Sequence, residues 1–180
     1  MRSEAQRLVY LAVMTALSVV LTRVAGFRVA IGGIEGIRIG LGPLPLIMSG
    51  VLWGPAAGFF VGAVADIVGY VISPMGAYLP QITLTTALAG ALPALVLKLT
   101  GYSERPGIGK LAGAIFVGQL ITSLILVPYF LYTLVGMLWR PLFVPRLLAF
   151  LIHVPTYTFL IHYLVNRTPV FTRLAKERQG

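Results

Sequence analysis

Asp66 is the one acidic residue inside a long apolar stretch of this sequence. A carboxylate in such surroundings is costly, so it must face the protein interior and be paired. It stands eleven residues after Pro55, past the middle of its stretch. Its expected partners are arginines on that side, Arg38 first. Three roles are open to it: proton coupling, direct ligand contact, or holding an arginine in place. Its isolation argues against a proton relay. The segment YLPQITLTTALAG adds Tyr78, Gln81 and Thr85, spaced to share one helix face and suited to hydrogen-bonding a polar ring. Thr83 and Thr86 beside them can satisfy their hydroxyls on the preceding turn. His153 and Tyr157 stand four apart with Arg146 just above them, and Gln119 and Thr122 lie deeper in another stretch. Arginine's planar fork suits bidentate recognition of carboxylates, and Arg23, Arg28, Arg38, Arg140 and Arg146 fall on one side. The competing role is an interfacial anchor reaching toward headgroups, which fits Arg23 best. Arg38 and Arg146 stand beside helix ends. Met75, Tyr78, Leu138, Trp139 and Phe143 give the neighbouring loops an apolar and aromatic lining. With no cysteine, thiolate chemistry and disulfides are excluded. Two histidines nine residues apart, without a third ligand nearby, predict no metal site.

The elements that position these residues are membrane spans. The chain is 58% hydrophobic and 11% charged, against about 45–50% and about 25% in soluble domains. A span needs about 17–25 apolar residues. The sequence predicts an all-α polytopic bundle, a single domain over 1–180, with helices at about 8–25, 41–52, 55–72, 79–97, 111–138 and 147–164. The second is short and must be completed by its neighbours or a thinned bilayer. Continuous apolar blocks argue against a β-barrel. With the N-terminus inside, nine basic residues lie inside and five outside. That places both termini in the cytoplasm and the chain in the cell membrane. The net charge of +9 is divided between two faces without a stripe or motif, so nucleic acid is excluded as a partner. The basic C-terminal stretch RTPVFTRLAKERQG is expected to meet anionic lipid. Six spans in 180 residues leave no room for a catalytic or nucleotide-binding domain, so no enzyme activity is expected.

The connections differ by side. GFRVAIGGIEGIRIGLGP is too glycine-rich for a helix, and its residues around Val29–Ile31 and Ile37–Ile39 fit a hairpin about Gly32-Gly33. SPMGAYLP and MLWRPLFVPR each hold two prolines. Folded over the bundle, these three loops would roof a pocket opening outward. Gly50, Gly54, Gly58 and Gly62, four apart, predict close backbone approach between helices. Trp53-Gly54 is a turn. In the first span, Ala12 and Ala16 form a small-residue face with no charge near it; on an external surface it would dock another membrane protein.

On these features the chain resembles the substrate-binding S components of energy-coupling factor (ECF) vitamin transporters, most of all the folate-specific ones. The resemblance rests on the Ala12-x-x-x-Ala16 pair, the run RIGLGPLPLIMSGVLWGPAAGFFVGAVADIVGYVISPMGAYLPQITLTTALAG from Arg38 to Gly90, and the arginine-bearing fifth loop. It implies six helices, cytoplasmic termini and a vitamin pocket roofed by loops one, three and five. It also implies that Ala12 and Ala16 meet a transmembrane coupling subunit driven by two cytoplasmic ATPases, so that ATP and Mg are used by those partners and this chain holds no cofactor. The expected ligand contacts are Arg38, Asp66, Tyr78, Gln81, Thr85, Trp139, Arg146, His153 and Tyr157. A folate would set its pterin against the Asp66, Gln81 and Thr85 side, its aromatic linker among the aromatic residues, and its glutamate tail on arginine. Riboflavin or another vitamin is the alternative within the class, thiamine being disfavoured by the surplus of arginine. A small anion channel or a structural subunit is the alternative outside it. A channel would carry polar residues along a whole helix face, whereas here they crowd one half.

Overall fold

The computed structural model describes residues 2–23, 26–31, 34–74, 76–101, 106–136 and 138–167; the side chains at 2, 3, 27–31, 34–39, 139–142, 166 and 167 lie outside the description. Its helices are α1 (Arg2–Arg23), α2 (Pro43–Trp53), α3 (Pro55–Ile72), α4 (Pro80–Leu99), α5 (Ile108–Gln119), α6 (Val127–Val135) and α7 (Trp139–Arg167). Strands β1 (Phe27–Ile31) and β2 (Ile34–Ile39) lie between α1 and α2. A π-helical stretch, Leu120–Leu126, joins α5 to α6, so that Ile108–Val135 runs as one span. Among the described residues five helices are long and apolar enough to cross a bilayer, with α2 as a sixth, shorter apolar helix.

The all-α expectation gains one addition. β1 and β2 pair antiparallel from Phe27↔Ile39 to Ile31↔Ile34, closing about the expected Gly32-Gly33 position, which itself lies outside the described residues. Two boundaries move furthest. α1 extends to Arg2, because SEAQR contains no breaker. α7 begins at Trp139 instead of Leu147, so the MLWRPLFVPR segment is mostly helix rather than the expected loop. Pro141 falls in the first turn, where its missing N–H costs nothing. Pro145 lies deeper, and within a bundle neighbouring groups re-satisfy what a proline leaves open.

α2 is the centre of the molecule. All ten residues from Leu44 to Trp53 are buried. At 1.5 Å per residue its eleven residues span only about 16 Å, far less than a bilayer core. Being enclosed on every side, it has no lipid contact to match. It ends at Gly54, whose φ of 100° and ψ of 169° belong to a region essentially reserved for glycine. Pro55 then starts α3 at the position where proline is preformed for a helix.

Apolar attraction does not distinguish protein from lipid, so close packing carries association here. The predicted glycines serve it. A Cβ at Gly50 or Gly58 would collide with the Gly90 carbonyl, one at Gly90 with the Gly58 carbonyl, and one at Gly62 with the α4 backbone at Thr86 and Ala87. α2 and α3 thus lie backbone-to-backbone against α4. Gly118 plays the same part for α5: its Cβ would come within 2.8 Å of the Pro93 ring inside α4. Leu46, Ile47, Leu111, Ile115, Tyr157 and Ile161 fill the core between α2, α5 and α7.

Candidate functional site: a cavity at the hairpin end of the bundle

A cavity lies where the bundle meets the two ends of the hairpin. Its volume is about 130 Å³. Every helical span contributes: Ser18, Thr22 and Arg23 from α1, Leu46 from α2, Asp66 from α3, Thr85 and Thr86 from α4, Gln119 and Ser123 from the fifth span, Arg146 and His153 from α7. Gly26, Gly40 and Gly42 add backbone from either side of the hairpin.

Asp66 is 7% exposed. Its Oδ2 accepts from the Thr83 hydroxyl at 2.8 Å, and Thr86 Oγ1 lies 3.4 Å from Oδ1. Thr83 also shares a hydrogen bond with the Tyr78 hydroxyl at 2.9 Å. Thr83 and Thr86, which the sequence left as self-satisfied, are therefore the α4 residues that meet the carboxylate. Thr86 also has its own Ile82 carbonyl within 3.0 Å, and Thr85 donates to that same carbonyl at 2.7 Å.

Two guanidinium groups line the space. Arg146, 8% exposed, faces it from α7. Arg23 reaches it from the last turn of α1, donating to the Ser73 carbonyl at 2.9 Å and lying over Gly69, where a Cβ would come within 2.8 Å of its Nε. That placement, across the C-terminal end of α3, is not that of a lipid-facing anchor. With Asp66, the described part of the lining carries two guanidinium groups and one carboxylate.

His153 and Tyr157 act on the chain itself. Their rings stack with centroids 5.0 Å apart. The Tyr157 hydroxyl donates to the Gly40 carbonyl at 2.6 Å, and the Gly40 N–H donates to His153 Nε2 at 3.4 Å. One residue, at the exit of the hairpin, is thus gripped on both its backbone groups by α7. On the other flank the Ser18 hydroxyl donates to the Gly42 carbonyl at 2.8 Å.

Of the residues expected from sequence, Asp66, Thr85, Arg146 and His153 line the cavity together. Tyr157 lies one turn behind His153, fully buried. Tyr78 and Gln81 are not among the lining residues. Tyr78 is 41% exposed and packed on Tyr70, whose hydroxyl donates to the Gly76 carbonyl. The side chains of Arg38 and Trp139 lie outside the description; Arg38 pairs with Arg28 in the hairpin backbone, and Trp139 opens α7. Residues that spacing did not single out are Arg23, Ser18, Thr22 and Ser123. The available signal for Arg23 was its place in the last turn before the hairpin.

Over residues 2–168 the chain matches the family described as "ECF-type riboflavin transporter, S component". It belongs to the S components of ECF-type transporters. It is 31% identical over 172 residues to the folate transporter FolT of Clostridium novyi (strain NT), which spans 94% of this chain and 95% of that relative. It is similar to the solved structure described as "Crystal structure of FolT bound with folic acid", with a TM-score of 0.74 and 26% identity over 91% of this chain and 94% of that one. Two further structures share the fold at a TM-score of 0.63: an S component of a bacterial ECF transporter (18% identity, 93% and 98% covered) and the S component for biotin (16%, 99% and 94% covered).

This S component is a transport subunit. Among the described residues no cluster of three histidine, aspartate or glutamate side chains is placed to hold a metal. Its α1 packs on α2 and α3 through Met14, Ser18 and Val19, and Ala12 and Ala16 are exposed on the opposite flank between Leu8, Val9, Val13, Leu17 and Val20.

Proposed function

We propose that this S component binds folate or a reduced folate in the cavity at the hairpin end and delivers it for import. The observation that carries this reading is the mixed lining: among the described residues one buried carboxylate, an amide, several hydroxyls and two guanidinium groups face the same cavity. A folate presents complementary chemistry, a flat hydrogen-bonding ring at one end and two carboxylates at the other. The whole-length likeness to FolT supports it. In this reading Asp66, Thr85 and Thr86 meet the ring, and Arg146 and Arg23 the glutamate tail. Arg38 on the hairpin and Trp139 at the start of α7 help roof the ligand, Tyr78 and Gln81 back the rim, and the His153–Tyr157 pair holds the roof's exit.

Six spans cross the cell membrane in this proposal, α2 being the short one, with termini in the cytoplasm and the cavity facing out. Ala12 and Ala16 dock a transmembrane coupling subunit, and two cytoplasmic ATPases use ATP and Mg to drive release. Riboflavin is the second reading, favoured by the description of the matching family. Calorimetric titration of the purified protein with folic acid, riboflavin, thiamine and biotin, without ATP, decides between them. Folic acid should bind tightly and alone. Riboflavin binding without folic acid binding would transfer the assignment.

A further inference from the structure

Gln119 is 5% exposed, lines the cavity, and its carboxamide makes no hydrogen bond among the described residues. A buried amide carries one acceptor and two donors, and leaving them unmade is expensive. Native proteins keep such a group where a ligand or an ordered water completes it. The surroundings hold it in place. Gly118, immediately before it, lies against the Pro93 ring of α4, so the helix cannot turn away there. Immediately after it the helix widens into the π-helical stretch, with the Val127 N–H reaching the Thr122 carbonyl five residues back. Such widened turns are rare within α-helices and are frequent at functional sites. Thr122 spends its hydroxyl on the Gly118 carbonyl at 2.8 Å, so it does not compete for the amide.

Depth sets Gln119 apart from the other polar groups. It lies sixteen positions before Val135 at the hairpin end of its span, on the order of 20 Å along the axis. Asp66 lies only six positions before Ile72, the last residue of α3. A ligand entering from the hairpin end meets Arg23, the last residue of α1, first, then Arg146 and Asp66, and Gln119 last, so a ring seated on Gln119 extends back toward Asp66. The group that reaches the floor must offer a donor and an acceptor side by side, because a carboxamide can then make two parallel hydrogen bonds. A ring lactam or imide does this; an aromatic linker or a carboxylate does not.

We propose that Gln119 is a specificity-determining residue that reads the amide edge, N–H beside C=O, of the ligand's fused ring at the floor of the cavity. The proposal rests on the vitamin-binding reading above and assigns the ring end of the ligand to the floor. It replaces the part that spacing gave to Gln81.

Two variants test it, Gln119→Met and Gln119→Leu, which keep most of the volume and remove the amide. Folic acid affinity is measured by calorimetry and the melting temperature of the ligand-free protein by a thermal scan. Folic acid binding should weaken about 10–100-fold, the scale on which a buried group left unpaired discriminates. The melting temperature should stay level or rise, since the amide faces the cavity and holds no other part of the described chain. A loss of affinity accompanied by a lower melting temperature in both variants makes Gln119 a structural residue and overturns the proposal. Unchanged affinity overturns it too. If the wild-type protein takes riboflavin and not folic acid, the folate assignment fails by itself. The same variants are then titrated with riboflavin, whose ring carries an imide, with the same criteria.

Discussion

Replacing Tyr157 with phenylalanine tests whether α7 holds the exit of the hairpin. The hydroxyl donates to the Gly40 carbonyl over 2.6 Å from a ring that is fully buried and stacked on His153. Phenylalanine keeps the ring, so the substitution removes one hydrogen bond and leaves one carbonyl without it. A neutral hydrogen bond contributes about 0.5–1.5 kcal/mol net, and stranding a buried acceptor costs about 1–3 kcal/mol. Gly40 is only partly buried, so water reaches it in part and about 1–1.5 kcal/mol is the working figure. That is close to tenfold in an equilibrium. The bond from the Gly40 N–H to His153 Nε2 is longer, 3.4 Å, and weaker for it. His153→Phe should therefore cost the empty protein less than Tyr157→Phe. Both side chains grip one residue, so the double variant should lose less than the two single losses added. Thermal unfolding of the ligand-free protein gives the three stabilities, and filter-bound release of labelled ligand gives the dissociation rate, expected to rise about tenfold for Tyr157→Phe. An unchanged release rate, or strictly additive stabilities, would refute the grip.

Arg146→Ala should weaken folic acid by roughly 2–5 kcal/mol, the range for truncating one partner of a desolvated charge pair; a ring compound without the glutamate should lose little in that variant, and an equal loss would make the residue structural. Asp66→Asn should lower binding or folding yield, because it halves the acceptor capacity facing Thr83 and Thr86, while the remaining uptake should not respond to collapse of the proton gradient at constant ATP; a dependence on that gradient would make Asp66 a coupling residue. Replacing Ala12 and Ala16 together with tryptophan should leave ligand affinity intact and abolish uptake in vesicles containing the coupling subunit and ATPases; a parallel fall in affinity would place that face inside the bundle. Reporter fusions after Lys98 and Arg140 should label opposite sides of the membrane, and labelling of both from the cytoplasm would overturn the proposed topology.

The spans were readable because hydropathy is a local property and the bilayer demands a fixed length of it. The break at Gly54-Pro55 and the hairpin were readable because each needs backbone that few residues supply. Facing was harder. Gln81 and Thr85 stand four apart on α4 while Tyr78 precedes its first turn, and spacing alone gives no rotation of α4 about its axis. The rotation is set by Gly62 seating against Thr86 and Ala87 and by Gly58 against Gly90, which turns Ile82, Thr85, Thr86 and Ala89 to the cavity. The long α7 was hidden by Pro141 and Pro145, which break helices in water more readily than in a packed membrane bundle. The π-helical stretch has no compositional signature, and with it went the importance of Gln119. Arg23 was misread because a single basic residue at a helix end looks the same whether it meets headgroups or, as here, crosses to Ser73 and Gly69.

The glycine crossing also orders the birth of the molecule. Gly50, Gly58, Gly62 and Gly90 belong to three consecutive helices within residues 43–99, so their interlock can form while the rest of the chain is still on the ribosome. Contacts between near neighbours in sequence assemble fastest. Arg146, His153 and Tyr157 arrive last, and Tyr157 must find Gly40 across 117 positions. Loop closure over such a distance costs little more than over half of it, so the delay is one of synthesis more than of entropy. A nascent chain halted before α7 would hold a finished scaffold and an unfinished cavity. Vitamin capture would then report that translation has run through α7, and chains cut short would remain inserted in the membrane without sequestering ligand.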